Sequence, residues 1–484
     1  MEKPWADAFL ASKRSFWIVS ILTILLFGAA NLPWQLDDYD QAKQAFGSFE
    51  MIKEGHWLYQ RIPDGSIATK PPLVGWISAV TFAITRSWEI SWRLPSFAAA
   101  FILLALLARS ACPGSSATAS IIAAAAFGLN LLSPRLASLV RTDMPLALVI
   151  FLSGLQIWEK IRTRAEWRPR DRVIQFGLLT AAMLIKGPIV YAFLLPGIAL
   201  FQWRERKNGK AGGAWSGWWP WLASLSIFLA WTIGGIICVP EFYDRVVRHE
   251  FLGRFGETIH RAQPFYFYLP HLIHKFAPWS LVLLAIGIVD LRSKKWRLRE
   301  TLREMSPETF WLLAWSLGGL AVMSLIPSKR VDRIFPVIPP LCLLLAVQAS
   351  QWRQKKVWIA AAIIVACLFT SSYCVVKIFT GYRTHSDALT KFGQHVREEA
   401  ESRHWRYEVL GKRNDGMLLY LRRLRFAEPE RVVTDWNAGA LDAIVLPPED
   451  ADRLLPQLRG ASVAESAFVA RNSTRMGYVL LMRQ

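Results

Sequence analysis

The chain has 484 residues, 53% of them hydrophobic, and carries repeated apolar runs of roughly 16 to 22 residues, enough to cross a hydrocarbon core. A soluble globular enzyme is thereby excluded. Lys and Arg number 57 against 37 Asp and Glu, a formal charge of +20, but the basic residues are divided among short loops between apolar segments, which fits membrane topology better than nucleic-acid binding.

Lys3, Lys13 and Arg14 precede the first apolar run, 16–33, and place the N-terminus in the cytoplasm by the positive-inside bias. No small-residue cleavage site follows that run, so it reads as a retained span. The chain then surfaces in an acidic loop, Leu36-Asp37-Asp38-Tyr39-Asp40. From Asp40 to Glu54 the apolar residues Ala42, Ala45, Phe46, Phe49 and Ile52 recur at helical spacing, which predicts a helix lying on the membrane surface.

The run 72–85 is short for a span and reads as interfacial or re-entrant. With that choice, spans at 94–110, 117–133, 144–158, 173–186, 188–203, 218–239, 276–292, 309–326, 334–349 and 357–378 put every strongly basic loop inside. The five cysteines, Cys112 in a loop and Cys238, Cys342, Cys367 and Cys374 in or near apolar segments, have no metal-ligand spacing, and no disulfide framework is expected. After residue 378 the character changes. Short apolar strands (407–410, 443–446, 478–482) alternating with helical stretches (416–423, 448–458) predict a small α/β domain outside the membrane. The expected organisation is a transmembrane domain, 1–378, with a first outer loop at 34–93, and an extracytoplasmic domain, 379–484.

This topology gathers ionisable residues from distant segments on the outer side. Asp40, with Asp38 beside it, is a candidate general base; glycosyl transfer needs one to take the acceptor's proton as the anomeric carbon gains oxocarbenium character. The other reading of these aspartates is helix capping. Lys70 is fixed in an extended backbone by Pro71-Pro72 and can hold a phosphate, or it can snorkel to lipid headgroups. Arg141-Thr142-Asp143 opens a span, with Asp143 placed either to cap it or to orient a lysine or a sugar hydroxyl. Lys186 ends a span just before Gly187-Pro188, an expensive place for a charge unless it faces an aqueous pocket. Glu250 and Arg254 lie in a long outer loop with His249, His260, His271 and His274, whose spacings match no usual zinc pattern. Lys329, Arg330 and Arg333 face outward against the topological bias, and an anionic lipid phosphate supplies a reason. A polyprenyl phosphate-linked sugar gains charge on its phosphate as it departs, which several cations can stabilise without a metal.

Together these segments resemble the ArnT-like and protein-mannosyltransferase-like group of GT-C membrane glycosyltransferases, bacterial lipid A aminoarabinose transferases among them. The resemblance covers most of 15–345. It rests on Asp40 to Ala45, Gly55-His56-Trp57, Lys70-Pro71-Pro72-Leu73, Arg93-Leu94-Pro95-Ser96, Arg141-Thr142-Asp143-Met144, Lys186-Gly187, Glu250 with Arg254-Phe255, and Ser328-Lys329 followed by Pro336. It implies an α-helical polytopic GT-C fold of about 11 to 13 transmembrane helices with the small α/β domain outside. The implied reaction is a direct inverting transfer of sugar from undecaprenyl phosphate to a lipid A-like, other glycolipid or protein acceptor at the periplasmic face of the bacterial inner membrane. Asp40, with Asp38 as fallback, is implied as the base, and Lys70, Asp143 and Lys186 as residues around the phosphate; Arg141, Glu250, Arg254, Lys329 and Arg333 complete the expected substrate-binding set. The sequence departs from the family's pattern at Thr69, Phe251, Gln44 and Arg333, leaving the sugar, the acceptor and the part of a divalent metal open; no cofactor is required. The rival readings are a transporter or flippase for polyprenyl-linked sugar or lipid, which would carry its charges mid-membrane, and a non-catalytic lipid-binding protein.

Overall fold

The computed structural model describes residues 4–36, 39–111, 117–207, 213–255, 262–350, 356–411, 414–471 and 474–483. Every apolar run read as a span forms a helix. Among the described residues six are long and apolar enough to cross a membrane: Trp88–Ser110, Asp143–Thr163, Trp219–Cys238, Pro307–Leu325, Val331–Ser350 and Lys356–Arg383. Two more qualify if each bent pair, Trp5–Ala11 with Lys13–Ala29 and Tyr268–Lys275 with Trp279–Ser293, is one span. The other three fall short for visible reasons. Ala117–Gly128 has only 12 residues, though it is almost wholly buried. Pro169–Lys186 carries Arg170, Asp171 and Arg172 in its first turn and Lys186 at its end, and Ile189–Lys207 ends in Arg204-Glu205-Arg206-Lys207. Leu73–Thr85 is a helix of 13 residues, shorter than a span.

The chain divides into two compact units: Met1–Ala30 with Thr69–Ile77 and Arg93–Tyr373, and Asn31–Ala68 with Ser78–Trp92 and Cys374–Gln484. Small residues set the helix packing of the first unit. A Cβ on Gly197 would lie 2.7 Å from the Cα of Trp315, one on Gly318 would lie 2.9 Å from the Gly197 nitrogen, and one on Gly154 would collide with the Trp315 ring. The Ile189–Lys207 and Pro307–Leu325 helices therefore meet backbone to backbone, the approach that glycine permits between helices in lipid. Trp315 stacks on Phe151 and on Trp311, both buried. Gly197→Leu should lower the thermal-unfolding temperature in detergent markedly, since forcing side-chain volume into a backbone contact costs about 1–3 kcal/mol or more. Gly177→Ala, with open space around its Cβ, should leave it unchanged or slightly raised.

Ala117–Gly128 ends at a turn built on Asn130. Its Oδ1 accepts from the Leu132 and Ser133 amides at 2.8 and 2.9 Å, while its Nδ2 donates to the Ala126 and Phe127 carbonyls. This buried amide is thus satisfied on both sides. The turn is tied to the segment leading into Trp279–Ser293, because the Leu131 amide donates to the Lys275 carbonyl at 3.0 Å and Trp279 Nε1 donates to the Leu129 carbonyl at 2.8 Å.

The second unit holds a four-stranded sheet of order β1-β2-β4-β3, made of β1 (Tyr407–Val409), β2 (Ala443–Leu446), β3 (Ala461–Arg471) and β4 (Thr474–Arg483). β1 and β2 are parallel and joined through the Asp415–Tyr420 and Pro429–Asn437 helices; the other pairings are antiparallel. Trp436, Ile444, Leu446 and Leu481 fill its core. The first outer loop packs within this unit: the Leu36 amide donates to Tyr420 Oη at 2.6 Å, Arg425 pairs with Glu54 at 3.0 Å and Arg422 with Glu89 at 2.8 Å. The helix expected to lie on the membrane surface forms at Tyr39–Glu54, but it is interior. Phe49 packs edge-on against Trp88, Gly47 admits the side chain of Gln60, and the polar residues Gln41, Gln44, Ser48 and Glu50 are buried along with the apolar stripe. The sequence pattern marked one buried face; the other is covered by residues outside the helix, Gln60 among them.

Candidate active site

Lys186 is the last residue of the Pro169–Lys186 helix, and Gly187 follows it with φ +73° and ψ −159°, a conformation that glycine alone adopts readily. Its ammonium donates to Asp143 Oδ1 at 2.5 Å, with the two side chains only 11% and 10% exposed. Asp143 opens the Asp143–Thr163 helix, whose N-cap residue Thr142 makes no side-chain capping bond. Of the two roles open to Asp143, the structure therefore displays the orientation of a lysine.

Other cations surround this pair. The charges of Lys70 and Arg141 act on Asp143, and those of Arg254 and Arg333 act on Lys186. Arg254 feels Arg333 and Arg330 in turn; burial, followed by these like charges, pushes its guanidinium down to about 10. Arg254 lies in the 3-10 turn Leu252–Phe255, directly after a π-helical stretch, Tyr243–Phe251. It is held there by Glu250, whose carbonyl accepts from Arg254 Nε at 2.8 Å and whose carboxylate pairs with Arg254 Nη2. Arg333 donates to the Ser328 carbonyl at 2.6 Å. Lys329 donates to the Gln263 carbonyl at 2.9 Å, and burial pushes its ammonium below the usual lysine value.

Arg141 is anchored from behind. Its Nη1 donates to Asp332 Oδ2 at 2.7 Å, and Asp332 Oδ1 lies 3.4 Å from Arg135 Nη1. Ser96 donates to the Arg141 carbonyl at 3.2 Å. Asp332 and Arg135 were not singled out as site residues in the sequence. For Asp332 a signal existed, since a lone carboxylate in the cationic run from Ser328 to Arg333 needs partners when buried.

Lys70, Arg141, Asp143, Lys186, Arg254 and Arg333 are thus brought together within the first unit, with Glu250 holding Arg254. Asp40 belongs to the second unit, in the first turn of Tyr39–Glu54 and partly exposed. Asp38 lies outside the described residues, as do Cys112 and His260. His249, His271 and His274 form no metal-ligating group; among the described residues such a group occurs at Glu50, Glu54 and His56.

The arrangement makes Gly187 sensitive to substitution. A Cβ there would lie 2.9 Å from the Phe251 ring as well as forcing a glycine-only backbone, costing about 1–3 kcal/mol. Gly187→Ala should shift Lys186 away from Asp143 and lower both thermal stability and transfer rate, read by unfolding in detergent and by the assay described below.

The combination of apolar helices with a small α/β unit is similar in fold to GT-C membrane glycosyltransferases of known structure. The fold matches the crystal structure of ArnT from Cupriavidus metallidurans bound to undecaprenyl phosphate with a TM-score of 0.67 at 16% identity, covering 97% of this chain and 98% of that one. It also matches the Archaeoglobus fulgidus oligosaccharyltransferase, with a TM-score of 0.52 at 12% identity over 96% of this chain and 74% of that one. In sequence the chain is similar to the undecaprenyl phosphate-alpha-4-amino-4-deoxy-L-arabinose arabinosyl transferase of Shewanella sediminis, 25% identical over 384 residues, which is 75% of this chain and 65% of the relative. The match thus spans just under two thirds of that relative's length. No protein-family model matches the chain. In sequence and in fold the chain is thus similar to ArnT and other GT-C glycosyltransferases, and among its described residues six to eight helices are long and apolar enough to cross a membrane.

Proposed function

We propose that the protein is an integral-membrane glycosyltransferase that moves a sugar from a polyprenyl phosphate, undecaprenyl phosphate in bacteria, onto a lipid A-like acceptor at the periplasmic face. The observation that carries this reading is the Lys186–Asp143 pair among Lys70, Arg254, Arg330 and Arg333. A donor diester carries about one negative charge and leaves as a phosphate with more. Fixed cations in a water-poor site stabilise that increase more than they stabilise the ground state. Asp143 keeps Lys186 oriented, Glu250 keeps Arg254 in place, and Asp332 holds Arg141 from behind.

Asp40 is the proposed base: it takes the proton of the acceptor hydroxyl as the oxygen attacks the anomeric carbon, and the C–O bond to phosphate breaks on the opposite face. Configuration at that carbon inverts. Metal chemistry is not part of this mechanism. The relatives carry transferase names, which supports transfer over the transporter reading.

The test is a transfer assay with purified protein, labelled undecaprenyl phosphate-linked sugars and lipid A, with the anomeric configuration of the product read by NMR. An inverted product supports the proposal. A product of retained configuration overturns the direct displacement, and donor translocation across vesicles without transfer replaces the proposal with the flippase.

A further inference from the structure

The Tyr39–Glu54 helix places Glu50 and Glu54 one turn apart on the same face. Gly55, with φ +82° and its amide bonded to the Met51 carbonyl at 3.0 Å, ends the helix and folds the chain back. His56 is thereby returned over that face: its Nδ1 contacts Glu50 Oε1 and lies 3.9 Å from Glu54 Oε2. The ligating atoms of the three residues lie within 4.8 Å of one another.

Each carboxylate is oriented from outside the group by its other oxygen. Glu50 Oε2 accepts from the Arg61 amide at 3.3 Å, and Glu54 Oε1 accepts from Arg425 Nη2 at 3.0 Å. This leaves Glu50 Oε1 and Glu54 Oε2 turned toward the histidine. Outer donors of this kind fix metal-binding side chains. Glu50 and Glu54 also line a cavity of about 530 Å³, together with Asp64, Glu428 and Asp450, all from the second unit. The cavity gives an ion a way in and room for water to complete its coordination, and the helix C-terminus beside it favours positive charge.

The geometry points to a divalent-metal site formed by Glu50, Glu54 and His56. One imidazole nitrogen with two carboxylate oxygens and open positions suits Zn²⁺ or a similar first-row ion, and suits Mg²⁺ poorly. A histidine bridging two carboxylates as a protonated cation is the competing account of the same contacts. The two differ in what they predict for added metal.

The experiment uses the full-length protein in detergent, stripped with chelator and titrated with Zn²⁺. Bound metal is counted by elemental analysis after equilibrium dialysis, and thermal unfolding is followed in parallel. The proposal expects one equivalent bound at micromolar Zn²⁺ without competition from millimolar Mg²⁺, a raised unfolding temperature, and at least about tenfold weaker binding in both His56→Ala and Glu54→Gln. Glu54→Gln, nearly isosteric and partly exposed, covers the case in which His56→Ala misfolds. Absence of Zn²⁺ binding by the wild type, or equal binding by wild type and Glu54→Gln, overturns the site. Because the readout is metal content, the result is independent of whether glycosyl transfer is the reaction.

Discussion

Lys186→Ala should reduce sugar transfer by about 10² to 10³-fold, the loss that follows removal of one preorganised electrostatic contact to developing charge. The same substitution strands Asp143 in a buried site, and breaking such a pair from one side costs about 3–5 kcal/mol, so lost activity alone would not separate chemistry from folding. The double variant Lys186→Met with Asp143→Leu separates them. It removes both charges and replaces them with apolar volume, so thermal stability should return toward the wild-type value while transfer stays low. If activity returned along with stability, the pair would be a structural bridge, and its place beside the donor phosphate would have to be withdrawn. Undecaprenyl phosphate binding, measured directly, should weaken in the double variant as well.

Asp40→Asn should lower the transfer rate by about 10² to 10⁴-fold, the range for loss of a general base, with little change in donor binding or in unfolding temperature. Asparagine keeps the shape and still caps a helix start, so a capping role predicts wild-type activity for this variant. Asp40→Glu, which keeps the base and moves it, should fall between the two. An Asp40→Asn protein that transfers at the wild-type rate removes Asp40 from the reaction.

The helices that sequence reading located were those whose signal is local: apolar runs of membrane length, and amphipathic periodicity at Asp40 to Glu54. Lys186 was legible because a charge at the end of an apolar run is costly without a partner, Asp143 because it opens such a run, and Lys70 because two prolines fix its backbone. The partners themselves were not legible. That Asp143 belongs to Lys186, 43 residues on, and Asp332 to Arg141, 191 residues back, follows from packing that no local pattern encodes. The burial of the polar side of Tyr39–Glu54 was missed for the same cause, since Gln60 packs on Gly47 and the Arg61 amide meets Glu50 from outside the helix. Strand β3 escaped notice because its run of small residues, Ala461-Ser462-Val463-Ala464-Glu465-Ser466-Ala467, has weak strand propensity, and a register shift between Val463 and Glu465 breaks its alternation. It is an edge strand, held by its pairing with β4.

The π-helical stretch Tyr243–Phe251 stands immediately before Arg254. Its wider turns accommodate more residues per revolution than an α-helix does, so the angular position of everything downstream depends on how many residues the stretch contains. Losing one of them while the rest keep their winding would turn everything downstream by one residue's share of a turn, on the order of 80–100°, carrying the Arg254 side chain away from Lys186. This segment is therefore constrained in length more tightly than in composition: exchanging its exposed side chains should leave Arg254 in place, whereas an insertion or deletion within it should not.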